Sequence, residues 1–189
     1  IDALGENRVQ EMTEKLAENA YDGAPLHFIG HLQRNKVRQV VGKVALIQSV
    51  GSDPLLDEIE KQAEKLGLVQ DILLEVNVGG EEAKSGFAPE AVFAAAQRAK
   101  TLEHVRLRGL MTVPPIETEP GQNLANFEKV HGLYVDINQK LYDNMLDILS
   151  MGMSGDFTDA IRAGATMVRV GTAIFGRRAY PAAEQEGTV

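Results

Sequence analysis

The chain has 189 residues, enough for one domain with a sizeable core, and its 44% hydrophobic and 24% charged content is that of an ordinary globular protein. With 27 acidic against 19 basic residues its net charge is −8, which argues against a nucleic-acid surface, and the absence of cysteine excludes disulfides and thiolate metal sites. No apolar run is long enough to span a bilayer and the N-terminus does not read as a signal peptide, so a cytoplasmic protein without membrane contact is expected.

In chain order, Ile1-Asp2-Ala3-Leu4 reads as the end of a strand, and Gly5-Glu6-Asn7 as its turn into a first helix near Val9–Ala20. A strand over Leu26–Gly30 follows, then a helical segment near Asn35–Val41 and a strand over Ala45–Val50. Next come a helix over Pro54–Leu66, a strand over Ile72–Val78, a helix over Pro89–Leu102 and a strand over Leu107–Val113. The series closes with a helix over Leu124–Leu141, a strand over Ile148–Met151, a helix over Phe157–Ala163 and a strand over Met167–Gly171. Apolar residues recur at three- and four-residue spacing in the helical segments, as an amphipathic helix requires. Strands alternating with helices imply parallel pairing through βαβ crossovers, and no linker divides the series. Counting the opening stub there are seven strands, whereas a closed barrel of this kind has about eight. The expected fold is therefore a TIM-type (β/α)8 barrel lacking its first βα unit, over residues 1–180, with a tail at 181–189. An open doubly wound sheet is the alternative, but the GxGxxG fingerprint after the first strand is missing.

Two strand-to-helix turns stand out near the end, Ser154-Gly155-Asp156 and Gly171-Thr172-Ala173. Helix N-termini carry unpaired N–H groups and partial positive charge, which suits a phosphate, although Ser and Thr there also serve as plain caps. Polar residues inside otherwise apolar strands are a second signal, since parallel strands covered by helices should be apolar on both faces. Glu75 and Asn77 share one face of ILLEVNV, and Arg169 and Gly171 one face of MVRVG. A buried ion pair or hydrogen-bond network explains Glu75 equally well, and Arg169 less well because it sits two residues from the glycine turn. His27 and His31 straddle a strand end without a carboxylate cluster, which speaks against a metal. Lys36 reads as a solvated helix-start lysine, and His104 and His131 as surface residues in helical contexts. The loop Glu81–Phe87 is polar, its charges mostly solvated. No hydrolase triad, nucleotide P-loop or zinc motif is present.

The segments GENRVQE (Gly5–Glu11), HFIGHLQRNK (His27–Lys36), EVNVGGEEAKSGF (Glu75–Phe87), RGLMTVPP (Arg108–Pro115), SMGMSGDFTDAI (Ser150–Ile161) and ATMVRVGTAIFGRR (Ala165–Arg178) occur in the order of one family. They closely resemble the pyridoxal phosphate homeostasis family of the YggS/PROSC type, which is related to the N-terminal barrel of alanine racemase. The resemblance implies a modified barrel that holds pyridoxal 5′-phosphate (PLP) at its C-terminal mouth. It implies a role in vitamin B6 and amino-acid balance without catalysis, and PLP-dependent apoenzymes as possible partners of a monomer. Motif by motif, it places Ser154, Gly155, Arg169, Gly171 and Thr172 around the phosphate, Asn7 near the pyridine ring and Met153 beside that ring. The family's cofactor-linking lysine lies upstream of GEN, so the sequence is expected to begin after it, and Lys36 does not take its place.

Two enzymatic readings compete. A PLP-dependent amino-acid racemase needs an acid or base on the second face of the ring, and the short PAAEQEGTV end offers no segment to supply one. A phosphate-binding barrel enzyme of sugar or indole metabolism wants a catalytic Lys or Glu pair at strand ends, where Glu75 is the lone candidate.

Overall fold

Among the described residues seven short strands follow one another around the molecule, each hydrogen-bonded in parallel to the next in chain order. They are β1 (Leu4–Glu6), β2 (Leu26–Phe28), β3 (Leu46–Val50), β4 (Gln70–Glu75), β5 (Val105–Met111), β6 (Ile148–Met153) and β7 (Met167–Arg169). The computed structural model describes residues 1–80, 85–116, 119 and 121–176, so loop residues 81–84 and the expected tail at 181–189 lie outside it.

The sheet curls into a nearly closed barrel, and a single side chain demonstrates it. In a flat sheet β3 and β7 would stand about 19 Å apart, four strand spacings. Instead Gln48 Nε2 on β3 lies 3.2 Å from Met167 Sδ on β7, and Gln48 Oε1 lies 2.7 Å from Ser150 Oγ on β6. Strands β1 and β7 are the two edges of the sheet. Closure depends on one unusual position in β5. Gly109 adopts φ +153, and a Cβ there would collide with the Ile148 carbonyl on β6. Any side chain would push these strands apart.

Helices α1 (Val9–Ala17), α2 (Asp53–Leu66), α3 (Val92–Ala99), α4 (Leu124–Leu141), α5 (Phe157–Arg162) and α6 (Thr172–Phe175) connect the strands, with a 3₁₀ turn at Arg34–Gln39. Helix α2 shows how sequence sets such an element. Pro54 lies at its start, Leu55, Leu56, Ile59 and Ala63 form its buried stripe, and Gly67 ends it at φ +63. Leu56 is fully buried, and Leu56→Ala would cost about 2–5 kcal/mol.

Several boundaries differ from the sequence expectation. Helix α1 stops at Ala17 because the chain turns through Asn19 at φ +53, where Ala20 N–H bonds back to Lys15 O. The segment after β2 is a 3₁₀ turn rather than an α-helix, and α3 begins at Val92 rather than Pro89. His104 is not helical: it lies in the turn before β5, where its N–H and its ring both bond to the Glu60 carboxylate.

Candidate functional site

Because all strands run the same way, their carboxyl ends share one rim. The two late turns follow the neighbouring strands β6 and β7, and Asn7 follows β1, the other edge strand of the sheet. Ser154 and Gly155 follow β6, Gly171 and Thr172 follow β7, and Asn7 follows β1.

The two late turns are joined directly. Gly171 N–H donates to Ser154 Oγ at 3.2 Å, so the hydroxyl of one turn is fixed by the backbone of the other. Asp156 shapes the first turn: its Oδ1 accepts from Met153 N–H at 2.6 Å, and its Oδ2 accepts from Asn123 Nδ2 at 3.2 Å. A side chain built at Gly155 or Gly171 would meet nothing within 4 Å, so both turns face open space. The N–H groups of Gly155, Thr172 and Ala173 have no acceptor among the described residues. Hydroxyls and free N–H groups around open space form a donor set that matches a multi-oxygen anion such as a phosphate.

Asn7 is exposed, and it is placed by its backbone. Ile29 N–H donates to Glu6 O at 2.9 Å, and Gly30 packs so closely on Asn7 that a Cβ at Gly30 would overlap the Asn7 carbonyl. Glu6 itself faces away from the rim, where Lys15 Nζ and Tyr21 Oη reach its Oε1 at 2.5 and 3.1 Å. The two residues at the entry of the rim, His31 and Lys36, are exposed. Met153 is 39% exposed at the head of the β6 turn, a thioether facing outward where a flat ring could lie.

Arg169 is the only positive side chain buried among the described residues, at 8% exposure. Its Nη1 donates to Ser150 Oγ at 2.6 Å and its Nη2 to Thr112 O at 2.8 Å. Burial lowers its pKa to about 10, while the charges of Asp156 and Glu75 pull it back up, so it remains a cation at neutral pH. Glu75 closes β4 on the same rim. Ser85 Oγ lies 3.0 and 2.9 Å from its two carboxylate oxygens. Desolvation pushes Glu75 above the usual carboxylate range, against the opposing pull of Ser85, His31 and Arg169. Asn77, just beyond the strand, donates its backbone N–H to Phe87 O at 2.9 Å.

Sequence reasoning missed Gln48, Ser150 and Thr112, which hold Arg169 in place. The signal was available, because Gln48 and Ser150 are polar residues in the apolar runs ALIQSV and ILSMGM, just as Arg169 is in MVRVG. Two clefts lie away from the turns. One of about 620 Å³ is at the opposite end near Arg106 and Met145, and one of about 680 Å³ adjoins Asn77 and Lys129. Both are broad surface depressions. Among the described residues no cluster of acids and histidines could hold a metal, and no helix is long and apolar enough to cross a membrane.

Comparison with known proteins gives a consistent result. The family model for the N-terminal domain of alanine racemase matches residues 1–179. The chain is 47% identical over 180 residues to the pyridoxal phosphate homeostasis protein of Aquifex aeolicus, covering 95% of this chain and 78% of that one. Among solved structures, PipY of Synechococcus elongatus with PLP bound is 32% identical with a TM-score of 0.80, over 91% of this chain and 80% of PipY. Alanine racemase of Clostridium difficile shares the fold at 22% identity and a TM-score of 0.72, over 96% of this chain and 46% of the racemase.

Proposed function

The chain belongs to the alanine racemase N-terminal domain family, and from that membership we propose that it is a PLP-binding protein of intracellular vitamin B6 and amino-acid homeostasis that does not itself catalyse a reaction. The observation that carries this reading is the 47% identity to a pyridoxal phosphate homeostasis protein, seconded by the PLP bound in the PipY structure. Identity is 47% to the homeostasis protein, whereas the racemase shares the fold at 22%, which supports the binding role over the enzymatic one.

The residues present fit the cofactor. Ser154, Gly155, Gly171 and Thr172 would take the phosphate, through two hydroxyls and the free N–H groups of joined turns. Arg169 would add a fixed positive charge from beneath the rim, Asn7 would reach the pyridine ring, and Met153 would pack beside it. Bound PLP supplies an aldehyde that combines with amines and a ring that withdraws electrons. The chain's own residues bind its charge, orient its ring and shield part of it from water. A monomeric cytoplasmic protein that hands PLP to dependent apoenzymes is the cellular form of this reading.

Titration with PLP, followed by absorbance and by dialysis, tests the assignment. Ser154→Ala and Arg169→Ala are expected to weaken retention, by about tenfold for the lost hydroxyl and more for the lost charge. Wild-type affinity in both variants would remove the phosphate assignment.

A further inference from the structure

The interior of the barrel holds a chain of hydrogen bonds that runs from one wall to the other. It starts at Arg169 on β7, whose Nη1 donates to Ser150 Oγ at 2.6 Å. Ser150 Oγ and Gln48 Oε1 are 2.7 Å apart, and Gln48 Nε2 and His27 Nδ1 are 3.0 Å apart. The second N–H of Gln48 meets Met167 Sδ at 3.2 Å. Gln48 is 1% exposed and Ser150 is fully buried, so water does not compete for these groups.

The chain has only one consistent direction. A guanidinium donates and never accepts. Ser150 Oγ, accepting from Arg169, spends its own proton on Gln48 Oε1, which can only accept. The amide's remaining side is then NH2, so His27 Nδ1 must accept and its proton must sit on Nε2. Reversing the amide would aim NH2 at Ser150 Oγ, leaving the Ser150 hydroxyl proton without an acceptor among the described residues, and would set a carbonyl oxygen against the Met167 sulfur. A buried donor or acceptor left unpaired in this way is costly. Burial also lowers the His27 pKa, which favours the neutral ring.

We infer that Gln48 and Ser150 are positioning residues that fix the Arg169 guanidinium beneath the cofactor, and that the direction of the chain they form is registered in the tautomer of His27. The carbonyl of Thr112 on the other side, 2.8 Å from Arg169 Nη2, completes the cradle. The inference rests on the reading of Arg169 as a cofactor-binding residue, and it adds to that reading the groups that hold the charge in place.

Long-range nitrogen NMR of the imidazole ring, on the full chain, reads the tautomer directly. In the wild type His27 is expected to carry its proton on Nε2 alone. Gln48→Glu, which presents only acceptors, is expected to move the proton to Nδ1. Ser150→Ala and Arg169→Met free the amide to reverse, so His27 is expected to become a mixture of tautomers although neither residue touches it. PLP titration of the same samples is expected to show about a tenfold loss for Ser150→Ala. A wild-type His27 with its proton on Nδ1 overturns the inference without any variant having to fold. So does an unchanged tautomer in folded Gln48→Glu and Ser150→Ala, even where Arg169→Met loses PLP. If instead Arg169→Met keeps wild-type PLP affinity, the cofactor reading of Arg169 fails, and with it the functional half of the inference.

Discussion

The arginines Arg106 and Arg108 on β5 and Arg169 on β7 sit at opposite ends of the parallel sheet and are treated oppositely. At the amino ends, Arg106 on β5 grips Asp71 on β4 through two bonds of 2.6 and 2.8 Å. Arg108 bridges Asp71 at 2.7 Å and Asp147 through its Nε at 2.8 Å. Each cation there meets a carboxylate, in reach of water. At the carboxyl ends Arg169 is buried and bonds to a hydroxyl and a carbonyl, both neutral. Stability alone favours the first arrangement, because a buried charge loses hydration that neutral dipoles only partly replace. Arg169 thus leaves positive charge unneutralised by any bonded partner among the described residues, near the Gly155, Thr172 and Ala173 N–H groups, which also have no acceptor among them. Such a charge supports the proposal that this rim takes an anion.

The largest expected effect breaks this comparison at its functional end. Arg169→Met should lower PLP affinity by about a hundredfold, as expected for removing a buried charge from an anion. It should change the melting temperature little, since the thioether needs no hydration but leaves the Thr112 carbonyl without its Arg169 donor. A calorimetric scan beside the titration checks both halves, and a protein that lost stability with no loss of affinity would make Arg169 a structural residue. The opposite pattern is expected at the other end. Asp71→Asn leaves Arg106 and Arg108 without that partner and should cost about 1 kcal/mol, less in high salt, with PLP affinity unchanged. Denaturant melts at two salt concentrations would measure it.

This contrast was only half legible in the sequence. The alternation of strands and helices gave the parallel barrel and its seven strands, because burial on both faces of a strand and one face of a helix imposes distinct periods. The two glycine turns were legible for the same reason, as breaks between such runs. What was not legible was partnership. Arg169 stood out as a polar residue in MVRVG, yet nothing in its spacing says that Ser150 is on the neighbouring strand or that Gln48 lies across the interior. Those contacts depend on closure and register, which Gly109 permits through a backbone conformation no pattern announces. Asp156 was likewise read as part of a turn, whereas it braces Met153 N–H and ties the turn to Asn123. His104 was misplaced on a helix because its partner Glu60 lies far away in the chain.

Glu75 occupies a middle ground and offers the smallest and finest test. It is a buried carboxylate on the same rim as Arg169, bonded by Ser85 rather than by a cation. Desolvation raises its folded-state pKa, the first cause, and Ser85, His31 and Arg169 only moderate the shift. For an acid with a raised pKa the sign is fixed: its stabilising contribution is full below the unfolded-state pKa and is lost as pH rises through the folded one. The wild type should therefore lose a little stability over that rise, and Glu75→Gln should remove the loss while keeping an oxygen for Ser85. Melts of the two proteins across that range should converge in acid and separate towards neutrality, with Glu75→Gln the more stable. Bound PLP should widen the separation, since its phosphate adds negative charge near the carboxylate. Curves that run parallel throughout would mean that Glu75 is paired as well as the aspartates at the barrel's other end, and that the rim holds only one unneutralised charge.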